Sequence, residues 1–358
     1  MEISTTLSET RVDDARLAEI LEDPGFGVHF TDHMFTVEWT PEQGWHDARI
    51  TPYGPLTLDP ATAVLHYAQE TFEGMKAYRH ADGSVHLFRP EANAERMVRS
   101  SQRLALPELP VEDFIGAVEA LVKVDERWVP DNAGEKSLYL RPFMFASERF
   151  LGVRPSQHVT FMVIASPAGS YFKGGLKPVS LWLTEEYTRA ARGGMGAAKT
   201  GGNYASSLVA QQEASQHGCD QVVFLDAQEG RYVEELGGMN MYFVFRDGSI
   251  VTPAIEGTIL EGITRSSIIE LARGMGHDVT ERRFEIDEWR RGVESGEIVE
   301  IFACGTAAVV SPVGELRSAA GTTAAPASTE LTMRIRQALV DVQFGRADDT
   351  YGWMRRVV

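Results

Sequence analysis

The feature that most limits the fold of this chain is a series of short apolar runs interleaved with helical patterns and interrupted once by a glycine- and proline-rich stretch. That stretch, 167–178 (PAGSYFKGGLKP), lies between two strand-like runs and is the best linker candidate in the sequence. A single hydrophobic core stops growing at roughly 250 to 300 residues, and this chain has 358. We therefore predict a small domain over 1–168, a linker loop over 169–178 and a large domain over 179–358.

The hydrophobic period predicts several individual elements. Helices are expected from Pro90 to about Ala105 and from Val111 to about Glu126. The last predicted helix places apolar residues on one face: Leu331, Ile335, Leu339 and Val342. Strands are predicted at 85–88, 137–145, 159–166, 179–183, 221–225, 241–245 and 298–304. Residues 321–327 (GTTAAPA) are predicted to form a mobile loop, and the whole pattern indicates an α/β or α+β protein.

Charge and composition exclude several classes of protein. The chain carries 51 acidic against 34 basic side chains, a net charge of −17, which argues against a nucleic-acid binder. No run approaches the roughly 18 apolar residues of a membrane span, and the polar, acidic N-terminus lacks the pattern of a signal peptide. Cys219 and Cys304 suit neither a disulfide framework nor a metal site. We expect a cytoplasmic protein without a metal, nucleic-acid or membrane partner.

The most unusual local composition surrounds Lys199, where 192–204 (RGGMGAAKTGGNY) holds five glycines and two alanines. Such a run lets the backbone approach a ligand closely. Three interpretations are a flexible loop with a solvated lysine, a phosphate-binding loop, and a lysine that forms a Schiff base with a carbonyl group. Ala198 occupies the position that a phosphate loop fills with glycine, which counts against the second. The residues alone leave the first and third open.

Groups that a ring cofactor with a phosphate would need occur farther along the chain. Glu234 and Glu235 precede a Gly-Gly turn and an apolar strand, where a carboxylate could face a ring nitrogen. Thr264 and Ser266 lie at a predicted helix start, where free amide groups bind anions. Residues 304–306 end a strand in a tight turn that carries a hydroxyl group. Each feature also fits an ordinary solvated acid pair, a capped helix or a plain turn.

Taken together, the sequence resembles the branched-chain amino-acid aminotransferases of the class IV, D-alanine aminotransferase-like, pyridoxal-phosphate fold. The matching strings occur in the family's order: FTDHM (30–34), FEGMKAYR (72–79), LFRPEANAERMVRS (87–100), SLYLRP (137–142), AKTGGNYASS (198–207), EELGGMN (234–240), GTILEGITRSS (257–267) and CGTAA (304–308). The resemblance implies a small α/β domain, a larger domain with a β-barrel-like core, and the cofactor at the domain interface. It favours the Schiff-base interpretation of Lys199.

The resemblance implies pyridoxal 5′-phosphate as the cofactor. Lys199 resembles the lysine that holds the cofactor and moves the substrate proton, and Tyr204 resembles the tyrosine that bonds the phenolic oxygen. Glu235 matches the residue that pairs with the pyridine nitrogen, and Arg96 matches an arginine that binds the phosphate. The other implied cofactor contacts are Arg189, Leu260, Ile263, Thr264 and Thr306.

The implied activity is reversible amino transfer between L-leucine, L-isoleucine or L-valine and 2-oxoglutarate, in branched-chain amino-acid biosynthesis. Arg141 resembles the arginine that receives the distal carboxylate of glutamate. Tyr139, with the amides of Thr306 and Ala307, resembles the groups that hold the α-carboxylate. The implied aromatic walls are Phe26, Phe72, Tyr139 and Tyr171. A homodimer is also implied, because the family contributes three matching positions from the neighbouring subunit: Tyr67, Leu151 and Val153.

The sequence departs from some relatives at two places. Gly238 stands where some of them have a threonine near the ring nitrogen, and Ala308 and Ser311 stand where some carry a redox-active Cys-x-x-Cys. Two alternatives within the fold are a D-amino-acid aminotransferase and an aminodeoxychorismate lyase, which share the lysine and glutamate but not the tyrosine and arginine of SLYLRP. A nucleotide-binding protein is the alternative from another class.

Overall fold

The computed structural model describes residues 1–169 and 177–358. Internal contacts divide the chain into two units. The first holds the described residues of Met1–Tyr171, Ala198–Gly201 and Asp341–Val358, and the second holds those of Phe172–Ala197 and Gly202–Val340. The predicted linker falls largely outside the described residues, so the 169–178 boundary stays a prediction. Unlike the predicted large domain over 179–358, residues 341–358 belong with the first unit, because their terminal strand pairs there.

The helices of the described residues follow the predicted periods. The two helices predicted near Pro90 and Val111 are confirmed, and the apolar face of the last helix is buried as predicted. None of the described helices combines the length and apolar composition needed to cross a membrane. The helices are α1 (Asp14–Glu22), α2 (Val64–Tyr67), α3 (Pro90–Arg103), α4 (Val111–Val124), α5 (Gly201–Gln216), α6 (Ile263–Gly274), α7 (Ile286–Ser295) and α8 (Glu330–Gln343), with a 3₁₀ turn at Glu126–Trp128.

All seven predicted strand runs form strands, with bounds within two residues of those expected. The strands are β1 (Ser4–Thr5), β2 (His33–Thr40), β3 (Gly44–Pro52), β4 (Glu70–Phe72), β5 (Met75–Arg79), β6 (Val85–Phe88), β7 (Ser137–Ala146), β8 (Val159–Ala168), β9 (Val179–Leu183), β10 (Gln221–Leu225), β11 (Val233–Leu236), β12 (Asn240–Phe245), β13 (Ile250–Pro253), β14 (Val279–Arg282), β15 (Ile298–Gly305), β16 (Val309–Ser318), β17 (Gly321–Ala324) and β18 (Met354–Arg356).

The sheet of the first unit is antiparallel except where β1 lies beside β3. Its strand order is β1-β3-β2-β8-β7-β5-β6-β18, and β4 also pairs with β7. Helix α4 turns its apolar stripe towards this sheet, and Phe114, Val118 and Leu121 are buried with Phe35 and Phe161 of β2 and β8. Leu138, Leu140 and Met144 of β7 belong to the same core, which anchors the strand that carries Tyr139 and Arg141.

The sheet of the second unit is mixed, in the order β11-β10-β9-β16-β15-β12-β13-β14. It curls until its two ends meet. The amide of Val233 on β11 donates to the carbonyl of Phe284, just beyond β14, at 2.8 Å, and the amide of Ile286 donates to the carbonyl of Arg231 at 3.0 Å. The α/β fold and the β-barrel-like core expected of the larger domain are confirmed.

The mobile-loop prediction for residues 321–327 is wrong for its first part. Strand β17 pairs antiparallel with β16, with Thr323 opposite Leu316 and Thr322 opposite Arg317. The segment has no apolar alternation of its own, and the open edge of β16 supplies the hydrogen-bonding partners that order it.

Glu300 on β15 fixes the start of α8, and its replacement tests that attachment. Its buried carboxylate accepts bonds from Ser328 Oγ, the amides of Leu331 and Thr332, and Thr332 Oγ1, at 2.7 to 2.9 Å. Although burial alone would raise the pKa of Glu300, these bonds outweigh it and hold the pKa below 4.5. We expect Glu300→Gln to lower the free energy of unfolding at pH 7 by about 2 kcal/mol, because its NH₂ group faces other donors.

Urea unfolding across a pH series measures this effect. A lowered carboxyl pKa stabilises the fold above the unfolded value and loses that contribution as pH falls through the folded value. The gap between wild type and Glu300→Gln should therefore shrink below about pH 4.5. Glu297→Gln, an exposed carboxylate beside β15, is the matched control and should change stability by less than about 0.5 kcal/mol. A gap that persists unchanged at low pH would refute the assignment.

Candidate active site

Lys199 is held in place by its backbone within the first unit. Its amide donates to Ser100 Oγ on α3 at 3.0 Å, and its carbonyl accepts from Thr71 Oγ1 at 2.9 Å and from the Phe72 amide at 3.0 Å. With both the amide and the carbonyl bonded, the direction in which the side chain leaves the backbone is set. The flexible-loop interpretation of this segment is therefore wrong.

The phosphate-loop interpretation is also wrong on structural grounds. A phosphate loop connects a buried strand to a helix that begins at the lysine. Residues 184–200 form turns and bends without a strand, and α5 begins only at Gly201. The glycines instead serve close packing: a Cβ on Gly196 would lie 2.2 Å from the carbonyl oxygen of Thr258.

Glu70 secures the segment that follows Lys199, a role that sequence reasoning missed. Its Oε1 accepts a hydrogen bond from the amide of Gly201 and another from Thr200 Oγ1 at 3.3 Å. A Cβ on Gly201 would lie 2.5 Å from the same oxygen, so a larger residue there would displace the Glu70 carboxylate from its bond to the backbone. Burial raises the pKa of Glu70, and the bonds from Gly201 and Thr200 and the charge of Arg141 partly offset the rise. No local signal marks this contact, since its partners are 131 positions apart.

Four predicted site residues gather around the Lys199 side chain. Its Nζ lies 4.7 Å from the centroid of the Phe72 ring, and Arg141 Cζ lies 4.9 Å from that same centroid. Arg141 Nη2 donates to the Tyr139 hydroxyl at 3.1 Å, and the Tyr139 ring meets Phe26 edge-on at 5.0 Å between centroids. Arg141 Nε is buried and has no hydrogen-bond partner among the described residues. The cluster combines an amine, a guanidinium and three aromatic walls.

Strand geometry explains how Tyr139 and Arg141 come together. They are two positions apart on β7, so their side chains leave the same face of the sheet. A Cβ on Gly74 would lie 2.1 Å from the Tyr139 hydroxyl oxygen, which only glycine permits. The glycine of the FEGMK string is thus explained by the close approach of this hydroxyl.

Arg96, on α3, is locked into a buried ion pair with Glu73. Its Nε and Nη2 donate to the two carboxylate oxygens at 2.8 and 2.7 Å, and Asn93 Nδ2 donates to one of those oxygens at 2.7 Å. Glu73 is fully buried and Arg96 is 4% exposed. A bidentate pair of this kind fixes the plane of the guanidinium. Glu73, inside the FEGMK string, was assigned no role by sequence reasoning.

In the second unit, Glu235 on β11 contacts two residues that were predicted to bind the cofactor, Arg189 and Leu260. Its Oε1 accepts from the amide of Leu260 at 2.9 Å and pairs with Arg189 Nη1 at 2.8 Å. Arg189 Nη1 also donates to the carbonyl of Thr258 at 3.1 Å, whereas its Nε is buried without a hydrogen-bond partner among the described residues. The adjacent Glu234 faces the opposite side of the strand, because successive side chains alternate. Arg189, Glu235 and Leu260 therefore form one cluster.

Two backbone features of the second unit suit an anion. Helix α6 begins at Ile263, followed by the buried Thr264, and no side chain caps its start. The first amides of a helix have no partner within the helix, so those of Ile263 and Thr264 can donate to a ligand. Thr306 and Ala307 lie half-buried in the turn that joins β15 to β16.

Tyr204 lies half-buried in the first turns of α5. Gly238 faces it: a Cβ on that glycine would lie 3.8 Å from Tyr204 Cε1, an ordinary van der Waals distance. The Tyr204 ring therefore leaves room for a side chain at position 238, so steric conflict does not explain why this chain has glycine where some relatives have threonine.

The three positions matched to a neighbouring subunit are exposed in the single chain. Tyr67 is 38%, Leu151 65% and Val153 88% exposed. The Tyr67 hydroxyl donates to the carbonyl of Leu151, which holds two of the three together. Tyr171, the fourth predicted aromatic wall, lies outside the described residues.

Both cysteines are free thiols buried in the second unit. Complete burial raises the pKa of Cys304 to about 12, and burial also raises the pKa of Cys219. Such thiols are unreactive at neutral pH, because the thiolate is the nucleophile. Across the described residues, no group of three His, Cys, Asp or Glu side chains is placed to hold a metal ion.

Comparison with known proteins identifies relatives over nearly the whole chain. Residues 70–316 match the family model described as amino-transferase class IV. A probable branched-chain-amino-acid aminotransferase of Streptomyces coelicolor is 57% identical over 343 residues, covering 95% of this chain and 94% of that protein. The crystal structure of the Escherichia coli branched-chain amino acid aminotransferase superposes with a TM-score of 0.74 at 27% identity, covering 90% of this chain and 99% of that one.

A further solved structure shares the fold and is described with its cofactor. The branched-chain amino acid aminotransferase of Thermobaculum terrenum, in its PLP-form, superposes with a TM-score of 0.71 at 24% identity. The match covers 91% of this chain and 98% of that one.

Proposed function

This chain belongs to the class IV aminotransferases, and we propose that it transfers the amino group between branched-chain L-amino acids and 2-oxoglutarate. The observation that carries the proposal is the placement of Lys199. Its backbone is bonded to Ser100, Thr71 and Phe72, and its amine lies over the Phe72 ring beside Arg141. Lys199 is thereby presented next to groups suited to an apolar side chain and a carboxylate.

The residues present fit pyridoxal 5′-phosphate. The cofactor needs an amine for its aldehyde, donors for its phosphate and a carboxylate for its ring nitrogen. Lys199 supplies the amine, Arg96 a guanidinium held in one plane by Glu73, and Glu235 a carboxylate. The buried Arg189 Nε, which lacks a hydrogen-bond partner in the described part of the chain, marks a polar position that a ligand would satisfy.

Each part of the cofactor has its own set of residues in this proposal. Glu235 would pair with the ring nitrogen, and Arg189 supplies the compensating positive charge for that carboxylate. Tyr204 would bond the phenolic oxygen, and Leu260 helps to position Glu235 through its amide. The groups suited to the phosphate are Arg96 in the first unit and, in the second unit, the Thr306 hydroxyl and the amides of Ile263 and Thr264.

Lys199 is also the residue that moves a proton. When bound, the cofactor supplies an electron-withdrawing ring that stabilises negative charge on the substrate carbon. With the cofactor bound, the Lys199 Nζ would carry a proton between the substrate α-carbon and the cofactor carbon that exchanges the amino group. The hydrogen bonds to the backbone of Lys199 limit the positions that Nζ can reach during this proton transfer.

The substrate groups have matching partners in each unit. In the first unit, Phe26, Phe72 and Tyr139 would form apolar walls for a branched side chain, and the Tyr139 hydroxyl would hold the α-carboxylate. In the second unit, the amides of Thr306 and Ala307 are the groups suited to the same carboxylate. Arg141, with one donor buried and without a partner in the described residues, receives the distal carboxylate of glutamate. These residues distinguish the proposal from a D-amino-acid aminotransferase or an aminodeoxychorismate lyase.

We propose in addition that the enzyme works as a homodimer. The high exposure of Leu151 and Val153, large apolar side chains at positions matched to a neighbouring subunit, supports this assembly. Sedimentation equilibrium should give twice the chain mass of 39.5 kDa. Leu151→Asp should shift the equilibrium towards the monomer, whereas Leu208→Asp, an equally exposed leucine on α5, should leave it unchanged. A wild-type monomer at micromolar concentration would contradict the assembly.

Replacing Lys199 tests the role of its amine. We expect Lys199→Ala to lose the visible absorbance of the purified protein and to lower kcat by about a thousandfold or more, because no other amine replaces Nζ. Spectra and single-turnover assays with L-leucine measure the two effects. Lys123→Ala, an exposed lysine on α4, is the control and should retain both. A Lys199→Ala variant that keeps wild-type colour and turnover would refute the assignment.

Replacing Arg141 tests the dual pocket. We expect Arg141→Ala to lower kcat/KM for glutamate by about a hundredfold, since one charge-assisted carboxylate contact is lost, and kcat/KM for leucine by less than about tenfold. Assays of each amino donor with a branched-chain 2-oxo acid as the common acceptor give the two values. Arg141→Lys, which keeps the charge but not the planar fork, should recover only part of the glutamate activity. Equal losses for both donors would contradict the proposed contact.

A further inference from the structure

A cavity lies in the second unit beside β11, where Val233 and Glu234 form part of its lining. Its volume is about 350 Å³, within the range of small-molecule sites. Apolar side chains form much of its wall, chiefly Val233, Pro253 and Ile259. The function proposed above assigns no residue of this cavity.

Glu234 lines this cavity with an unsatisfied oxygen. The residue is 6% exposed, and its Oε1 accepts from Thr258 Oγ1, whereas its Oε2 is buried with no hydrogen-bond partner among the described residues. Burial raises the pKa of this carboxyl, and the neighbouring Asp226 adds to the rise. A buried polar oxygen without a donor is costly, so a bound donor would stabilise it.

The cavity also carries a cation without a protein partner. Arg192 lines it and makes no ion pair or hydrogen bond within the described part of the chain. Arg283, the other lining arginine, differs, because it pairs with Glu256 at 2.8 Å and with Glu229 at 3.5 Å. The lining thus offers one buried anion and one unpaired cation.

A metal ion does not suit this arrangement. The other carboxylates of the lining are already engaged: that of Asp226 accepts from the amides of Glu229, Arg231 and Tyr232 at 2.7 to 2.9 Å, and that of Glu256 pairs with Arg283 at 2.8 Å. No three metal-ligating side chains come together anywhere in the described residues. The separated opposite charges and the apolar wall fit an organic zwitterion instead.

We propose that this cavity binds a free α-amino acid with an aliphatic side chain, at a site distinct from the one that contains Lys199. Its ammonium group donates to Glu234 Oε2, its carboxylate pairs with Arg192, and its side chain packs against Val233 and Ile259. The site goes beyond the proposed function, which requires only one amino-acid site.

The cavity is connected to the cofactor-pairing residue through Thr258. The hydroxyl of Thr258 donates to Glu234, and its carbonyl accepts from Arg189, the partner of Glu235. An amino acid bound to the Glu234 carboxylate would therefore affect Thr258, which also contacts Arg189. The contacts therefore lead from the cavity to Glu235, the residue proposed to pair with the ring nitrogen.

Calorimetric titration of L-leucine tests the site. The holoenzyme is first reduced with borohydride, which fixes the cofactor on Lys199 and closes that position to an incoming amine. We expect saturable binding that weakens about tenfold or more in Glu234→Gln and in Arg192→Ala, because each removes one charge-assisted contact. The analogues 3-methylbutylamine and 4-methylpentanoate each lack one charged group of L-leucine, and their affinity should be lower by about tenfold or more.

Two controls separate this site from the substrate pocket. Glu229→Gln removes a carboxylate just outside the lining and should bind L-leucine within about twofold of wild type. Tyr139→Phe removes the hydroxyl proposed to hold the α-carboxylate in the substrate pocket and should also leave this affinity unchanged. Binding that is absent from the wild type, is insensitive to Glu234→Gln and Arg192→Ala, or is lost in Tyr139→Phe would overturn the proposal. Arg192 is exposed, so its variant remains informative if Glu234→Gln fails to fold. The visible absorbance of the unreduced protein shows whether the cofactor is bound, so a failure of the proposed function can be distinguished from a failure of the second site.

Discussion

The site depends most on the hydrogen bonds that tie residues 198–201 to the first unit. Ser100, Thr71 and Phe72 bond the amide and carbonyl of Lys199, and Glu70 bonds Gly201 and Thr200. The segment is short and rich in small residues, so without these bonds the lysine would sample many directions. With them, the amine occupies one region beside the aromatic and cationic groups. Catalysis by a single lysine needs this restriction, because proton transfer requires a donor and acceptor held at close range.

Two buried ion pairs extend the same principle to the groups proposed to bind the cofactor. Arg96 pairs with Glu73 in the first unit, and Arg189 pairs with Glu235 in the second. Buried pairs contribute little net stability, since the desolvation of both charges offsets their attraction. Here the pairs fix the orientation of the Arg96 guanidinium and of the Glu235 carboxylate. Because each pair is neutral as a whole, the pairs do not attract an anion by their charge. In a chain of net charge −17, the local positive potential for carboxylate substrates comes from Lys199 and Arg141 beside Phe72.

Sequence patterns within one segment predicted part of the secondary structure. Features that depend on contacts between residues far apart in the sequence were not predicted. Seven of the eighteen strands in the described residues, together with α3 and α4, were predicted from periods within each segment, and Tyr139 and Arg141 share a face because of strand alternation. The roles of Glu70 and Glu73 were not predictable, since each acts through partners far along the chain. The other eleven strands were not predicted. Among them, β17 and β18 are ordered by the edges of neighbouring strands and not by a pattern of their own residues. The resemblance to relatives, and not spacing, identified Arg96 and Glu235.

Peptide mapping of the borohydride-reduced holoenzyme tests the central claim most directly. The chain has six lysines, and reduction makes the attachment of pyridoxal phosphate to an amine permanent. The account predicts that the phosphopyridoxyl mass is found on the peptide containing Lys199 and on no other. A modified peptide containing a different lysine, or no modified peptide in an enzyme that is active with leucine and 2-oxoglutarate, would contradict it.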